Sequence, residues 1–170
     1  LDFSKIESGK LELDIEKYNL GELTGQVMEL IRYDANSKPI ELVCNIGPEV
    51  PKFVWIDYIR LKQILINLLG NAVKFTEKGK IALGIDVVSK SKNLVTLRFS
   101  VKDTGIGIRK NNQEKIFDAF SQEDSSTTKK FGGTGLGLSI SNQLLNLMDS
   151  HLELESKFGE GSEFFFFVTF

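Results

Sequence analysis

With 170 residues of which 41% are hydrophobic, the chain can bury one substantial core, and nothing in it asks for a second. Lys and Arg number 21 against 23 Asp and Glu, a net charge of −2, and no basic run or aromatic-interleaved basic stripe occurs, which excludes a nucleic-acid footprint. The lone Cys44 excludes an internal disulfide and a cysteine-rich metal site, fits a reducing compartment, and as an isolated residue in an apolar strand pattern is expected in the core.

No apolar run approaches the roughly 20 residues of a membrane span, and no signal peptide is visible. The chain opens without an initiator Met, on Leu1, Phe3 and Ile6 at helical spacing, and reads as a fragment beginning in the tail of a helix. After Gly9, residues 10–15 alternate with period two, as a half-buried strand does. Leu20, Leu23, Val27, Leu30 and Ile31 then recur at helical spacing with a solvated opposite face, and Pro39 stops that helix. A second strand is predicted over 40–46, followed by a Pro48/Pro51 turn. A short extended stretch, 53–56, leads to Asp57 as an N-cap.

The helix predicted from Tyr58 to Phe75 is nearly apolar all round, through Ile59, Leu61, Ile64, Leu65, Leu68, Leu69, Ala72 and Val73, and should be largely buried. One polar stripe interrupts it, with Gln63, Asn67 and Asn71 at i, i+4 and i+8 and Lys74 one turn on. Asn is a poor mid-helix residue, and a solvated stripe more naturally uses Glu, Lys or Arg. Two readings stand: a stripe bonded to neighbouring backbone, or a face that meets a metal and phosphates, since one Asn carbonyl can suffice where Mg²⁺ keeps waters and substrate oxygens.

Two β-rich runs, 80–88 and 94–101, read as a hairpin, and the second runs straight into Asp103. That places the carboxylate, with Gly105 and Gly107, at a strand's carboxyl end, where open α/β sheets receive ligands; the same Asp also suits capping a turn. Ile116, Phe117 and Phe120 predict one or two helical turns with packing phenylalanines. Residues 121–131 are almost without apolar side chains, a candidate lid whose Lys129 and Lys130 are placed to close on phosphates. A helix is predicted from Gly135 to Met148, then two strands, 151–155 and 163–170, the last rich enough in Phe to be buried on both faces.

Glycines therefore bracket the loop, as Asp103-Thr104-Gly105-Ile106-Gly107-Ile108 before it and Gly132-Gly133-Thr134-Gly135-Leu136-Gly137-Leu138 after it. Such clusters serve as plain turns or as backbone anion sites at a helix start. Leu138 stands where a P-loop needs Lys, and no Gly-x-Gly-x-x-Gly register completes, so a nucleotide site in this stretch is of another kind.

Taken in order, Asn67-x-x-x-Asn71, Asp103-x-Gly105-x-Gly107, Phe117-x-x-Phe120 and Gly133-x-Gly135-x-Gly137-Leu138 resemble the N, G1, F and G2 boxes of sensor histidine kinases. The resemblance covers essentially the whole chain, with residues 1–9 similar to the end of the dimerisation helix and its linker and 10–170 to the catalytic domain. It implies a two-layer α/β sandwich of the Bergerat type, a mixed sheet covered by helices on one face, binding ATP and Mg²⁺ under a flexible lid. Residue by residue it implies that Asn71 ligates Mg²⁺ with Asn67 beside it, that Lys74 lies near the phosphates and that Phe75 flanks the nucleotide. Asp103 accepts the adenine amine, Gly105 and Gly107 admit the base, Ile108 lines the pocket, Phe117 and Phe120 form the F box, and Lys129 and Lys130 belong to the lid. Gly133, Thr134, Gly135, Leu136, Gly137 and Leu138 cradle phosphates.

The resemblance also implies the chemistry. Related ATPases, the type II topoisomerases and MutL proteins, carry a Glu base where this chain has Asn67, and Asn cannot take a proton. The phosphoryl group is then expected to pass to a histidine on a separate dimerisation hairpin, with a receiver domain downstream. Phosphoacceptor and general base both lie outside this chain, which alone is not expected to autophosphorylate. His151 falls at the start of a late strand, whereas the family's phosphorylated histidine precedes this segment, so it is expected to be a strand-edge residue. The lid's Phe120-Ser121-Gln122-Glu123-Asp124 resembles the hybrid subtype. The fragment is expected in the cytoplasm and not membrane-inserted, any anchor belonging to its parent. Departures from the pattern are Lys129 for the usual Arg, Ile56 and Tyr58 where Gly and Pro are commoner, and Asp149-Ser150 for Gly-Gly after the last helix.

Overall fold

The computed structural model describes residues 2–117 and 137–170. In chain order the elements are α1 (Asp2–Glu7), β1 (Glu16–Asn19), α2 (Leu20–Asp34), β2 (Ile40–Ile46), β3 (Phe53–Ile56), α3 (Tyr58–Phe75), β4 (Gly79–Lys90) and β5 (Val95–Asp103). Two single 3₁₀ turns, Lys110–Asn112 and Lys115–Phe117, precede α4 (Gly137–Leu147), β6 (Glu153–Lys157) and β7 (Gly161–Thr169).

Five strands form one mixed sheet in the order β2-β4-β5-β7-β6, with β2 and β4 parallel and the other neighbours antiparallel. Along β4, β5 and β7 alternate residues point inward: Ile81, Leu83 and Ile85, then Leu97, Phe99 and Val101, then Phe164, Phe166 and Val168. They meet the buried faces of α2 (Leu23, Val27, Ile31), α3 (Leu61, Leu65, Leu68) and α4 (Leu144, Leu145) in a single core. The Phe99 and Phe166 rings stack at its centre, 5.1 Å apart. This is the expected two-layer sandwich with helices on one face.

Both long helices begin on side-chain caps. Asn19 Oδ1 accepts the Glu22 amide at 3.2 Å for α2, and Asp57 Oδ1 accepts the Arg60 amide at 3.1 Å for α3. Asp57 Oδ2 also takes the Asp14 amide at 2.9 Å, so one buried carboxylate ties the incoming chain to the start of α3. The bounds predicted for α3 and for β2 are the bounds observed.

Four expectations need correction. Residues 10–15 make no strand; pairing begins at Glu16, where β3 supplies a partner in a separate two-stranded ribbon. Cys44 is exposed rather than in the core, on β2, an edge strand whose last three residues are all exposed. β7 is buried on one face only: Phe165 and Phe167 lie half-buried on the outer surface, where the Arg98 guanidinium stacks 4.4 Å over Phe165 and pairs with Glu163 at 3.0 Å. Leu30 and Ile59, counted into apolar helix faces, are exposed at 49% and 55%. No helix among the described residues is long and apolar enough to cross a membrane.

The end of α4 shows what the Asp149-Ser150 departure does. Asp149 sits at φ 57°, the left-handed conformation, and the Ser150 amide reaches back to the Leu145 carbonyl at 2.9 Å. This is the glycine-favouring C-terminal cap made with an L side chain. Asp149→Gly is therefore expected to raise the chain's stability by about 0.5–1 kcal/mol in urea denaturation, with the slope unchanged.

Candidate nucleotide-binding site

The site forms where the carboxyl ends of α3 and β5 meet. Asp103 is the last residue of β5 and 8% exposed, paired across the sheet with Ser162 of β7. Its Oδ1 accepts the Gly105 amide at 2.9 Å, so the turn-capping reading holds as well as the placement at a strand end. Burial lifts the Asp103 carboxyl above the ordinary aspartate value of 3.8, and backbone N–H groups of Gly105 and Ser162 pull it part of the way back.

Glycine is required at two positions after it. At Gly105 a Cβ would overlap the Phe75 carbonyl oxygen and crowd the Thr76 hydroxyl, while the next amide, of Ile106, donates to that same Phe75 carbonyl at 3.2 Å. At Gly107 φ is 71° and a Cβ would strike the Lys157 carbonyl. The loop is held from the far side by the β6–β7 turn. Gly159 donates to the Ile106 carbonyl at 2.6 Å, Ser156 Oγ accepts the Ile108 amide at 2.8 Å, and Gln113 Nε2 donates to the carbonyls of Ile108 and Ser156. Thr104 fastens the near side, its hydroxyl accepting the Lys80 amide at 3.0 Å.

Thr76, one residue beyond α3, is fully buried, and its hydroxyl finds no hydrogen-bond partner among the described residues. A buried carboxylate at a strand end, followed by glycines that bring no side chain, suits a polar, planar ligand laid against the backbone. An adenine ring, with donors and acceptors on one edge, fits that chemistry.

The stripe on α3 is half-buried along its length, at Gln63, Asn67, Asn71 and Lys74. Asn67 Nδ2 donates to Ser141 Oγ at 3.1 Å and to the Gly137 carbonyl at 3.5 Å, tying α3 to the first turns of α4. For Asn67, bonding to a neighbouring element is thus what is observed. Asn71 lies one turn on toward the Asp103 end of the helix, and Lys74 Nζ lies 5.8 Å from the Phe75 ring centre. Among the described residues no group of three or more His, Cys, Asp or Glu side chains is gathered to hold a metal.

Of the other predicted residues, Ile108 and Leu138 pack partly buried against the core, Gly137 opens α4, and Phe117 meets Phe164 edge-on at 6.4 Å as a packing residue. Phe120, Lys129, Lys130, Gly133, Thr134, Gly135 and Leu136 lie outside the described residues. His151 is exposed two residues ahead of β6, which starts at Glu153 and not at 151, and lies 3.9 Å from Glu153. The sequence reading missed Thr76, Gln113, Ser156 and Ser162. Only Ser162 carried a signal, as the residue after Gly159-Glu160-Gly161 in a turn read as mere punctuation.

Comparison with known proteins agrees with this geometry. The family described as histidine kinase-, DNA gyrase B-, and HSP90-like ATPase matches residues 56–170. The signal transduction histidine-protein kinase BarA of Escherichia coli is 40% identical over 169 residues, 99% of this chain and 18% of BarA. The sensor histidine kinase GacS of Pseudomonas protegens is 43% identical over 164 residues, 96% of this chain and 18% of GacS. The chain thus spans under a fifth of the length of these relatives. Among solved structures, full-length ShkA in complex with AMPPNP superposes with a TM-score of 0.85 at 34% identity, over 98% of this chain and 33% of that one. The catalytic domain of histidine kinase ThkA does so at 0.74 and 28%, over 92% and 95% of the two chains. The chain belongs to the histidine kinase-, DNA gyrase B- and HSP90-like ATPase family, and within it is the ATP-binding catalytic domain of a histidine kinase.

Proposed function

We propose that this domain holds Mg²⁺-ATP at the junction of α3 and β5 and presents its γ-phosphoryl group to a histidine on a separate dimerisation hairpin. The observation that carries the reading is the buried Asp103 carboxylate at the carboxyl end of β5, beside a loop in which Gly105 and Gly107 have no room for a side chain, so that a flat ligand can approach its backbone. Asp103 accepts the adenine amine; Gly107 and Ile108 border the base; Phe75 flanks it, and Lys74 faces the phosphates. The glycine cluster ahead of α4, with Lys129 and Lys130, is assigned to the phosphates by resemblance alone.

Asn71 is the residue suited to Mg²⁺, giving one carboxamide oxygen where water and phosphate oxygens complete the shell of a hard cation. When bound, Mg²⁺ neutralises charge across the phosphates. The chain's own contribution is positioning: adenine fixed at Asp103, phosphates directed along α3, and no base offered to water at Asn67.

Residues 1–9, with α1 packed against α4, are read as the end of the dimerisation helix. The likeness to the hybrid signal transduction protein dokA of Dictyostelium discoideum, 42% identical over 173 residues, favours a hybrid parent with a receiver domain downstream. The domain is assigned to the cytoplasm, where ATP is supplied.

Three outcomes are expected. The adenine amine donates to ionised Asp103, so ATP affinity falls as pH drops through its raised pKa, beginning above the ordinary value of 3.8. Asp103→Asn weakens ATP binding by about 10- to 100-fold in calorimetry at pH 7. Because a raised folded pKa means the ionised carboxylate opposes folding at that pH, the unliganded variant's Tm should be no lower than that of the unsubstituted chain. A large drop in Tm would assign the loss of binding to the broken Gly105 cap and not to the adenine contact.

Asn71→Ala should abolish the Mg²⁺ dependence of ATP binding. Titrations with Mg²⁺ and with EDTA then agree within about twofold, while the unsubstituted chain binds several-fold tighter with Mg²⁺. Equal Mg²⁺ dependence in both would move the ion elsewhere.

With labelled ATP the chain alone should label nothing. Addition of the dimerisation hairpin from its own parent should give an acid-labile, base-stable phosphohistidine on the hairpin. Steady phosphate release from the chain alone, lost in Asn67→Ala, would instead make it a hydrolase.

A further inference from the structure

We propose that Lys38, in the loop between α2 and β2, is a positioning residue for nucleotide binding, holding the last turn of α3 at Lys74 so that this side chain meets the phosphates. This rests on the proposed function, since it concerns the same site.

The carbonyls of a helix's last turn have no partners within the helix. Those of α3 are taken from elsewhere in the chain. Lys38 Nζ donates to the Val73 carbonyl at 2.8 Å, to Thr76 at 3.3 Å and to Lys74 at 3.4 Å, while the Phe75 carbonyl receives the Ile106 amide. An ammonium group has three N–H donors, and three carbonyls occupy them. None is left for a phosphate, so Lys38 acts through the helix and not on the ligand. Its charge also faces the negative end of the α3 dipole, where a cation is stabilising.

The base of the side chain is equally fixed. Lys38 is half-buried, its amide donates to the carbonyl of buried Ala35 at 3.1 Å, and the neighbouring Pro39 carbonyl takes the Gly79 amide at 3.1 Å as β2 and β4 start their parallel pairing. The capping donors divide the work: the Ile106 amide joins the Phe75 carbonyl to the glycine loop on its own, and Lys38 holds the carbonyls around Lys74. Without the ammonium, the Lys74 and Thr76 carbonyls lose this donor and Val73 keeps only the 3.4 Å bond from the Thr76 amide, so the last turn loosens around Lys74. Asp103, on β5, keeps its place.

The expected result is thus a split between ligands. In the whole chain, Lys38→Met should weaken binding of ATP with Mg²⁺ by about tenfold, the worth of a charge-assisted hydrogen bond, and binding of adenosine by about twofold or less. Adenosine still has Asp103 but makes no use of Lys74. Lys38→Arg, which keeps charge and several donors, should restore ATP binding to within about threefold. Should Lys38→Met not fold, Lys38→Gln carries the same comparison, with a neutral amide in place of the ammonium. Unchanged ATP affinity, an equal fall for ATP and adenosine, or a folded Lys38→Arg that fails to restore binding would each overturn the inference. Failure of the unsubstituted chain to bind ATP would instead overturn the proposed function beneath it.

Discussion

The hydrogen bond from the Ile106 amide to the Phe75 carbonyl is the constraint on which the site depends. It joins the end of the longest helix to the loop that leaves β5, and it forms only because Gly105 brings no side chain between them. Everything polar nearby is arranged around that closure. Asp103 Oδ1 turns back onto Gly105, the Thr76 hydroxyl is sealed in beside it, and the β6–β7 turn clamps the loop from behind through Gly159 and Ser156. A loop fixed from three sides presents its backbone without further ordering cost, which is what binding a flat base against main chain needs.

Sequence patterns disclose what is local and hide what is paired across the fold. The limits of α3 were legible because an N-cap carboxylate, a nearly all-round apolar period and a β-favouring Thr76 stand at the right places. The strand over 10–15 was not there, although its alternation is real, because a strand needs a neighbour and β3 offers one only from Glu16. In the same way, the run of phenylalanines in β7 cannot say that one face of the sheet is uncovered; only the helices' placement decides that Phe166 is buried and Phe165 is not. Asp103, Gly105, Gly107 and the two Asn of α3 were legible as unusual residues in their contexts. Gln113, Ser156 and Lys38 were not, since each is an ordinary polar residue that matters through a partner tens of residues away.

Asp103 also shows a site at odds with its own scaffold. Burial raises its pKa, and two backbone donors offset only part of that cost. The unliganded fold therefore carries a carboxylate less comfortable than the same group in the unfolded chain. In the proposed function an adenine amine donates to it and offsets that mismatch.

Asn67 sets the direction of the chemistry by the same logic of partners. Its amide nitrogen is committed to Ser141 and Gly137, so the residue works as a brace between α3 and the start of α4. A carboxylate in its place could not make that donation, and would set a negative charge against the Ser141 hydroxyl and the Gly137 carbonyl, of which only the hydroxyl can donate. The brace and the base are therefore alternatives at one position. The amide keeps α4 docked on α3, and in the proposed function it offers water no proton acceptor and leaves the phosphoryl group for a nucleophile from outside.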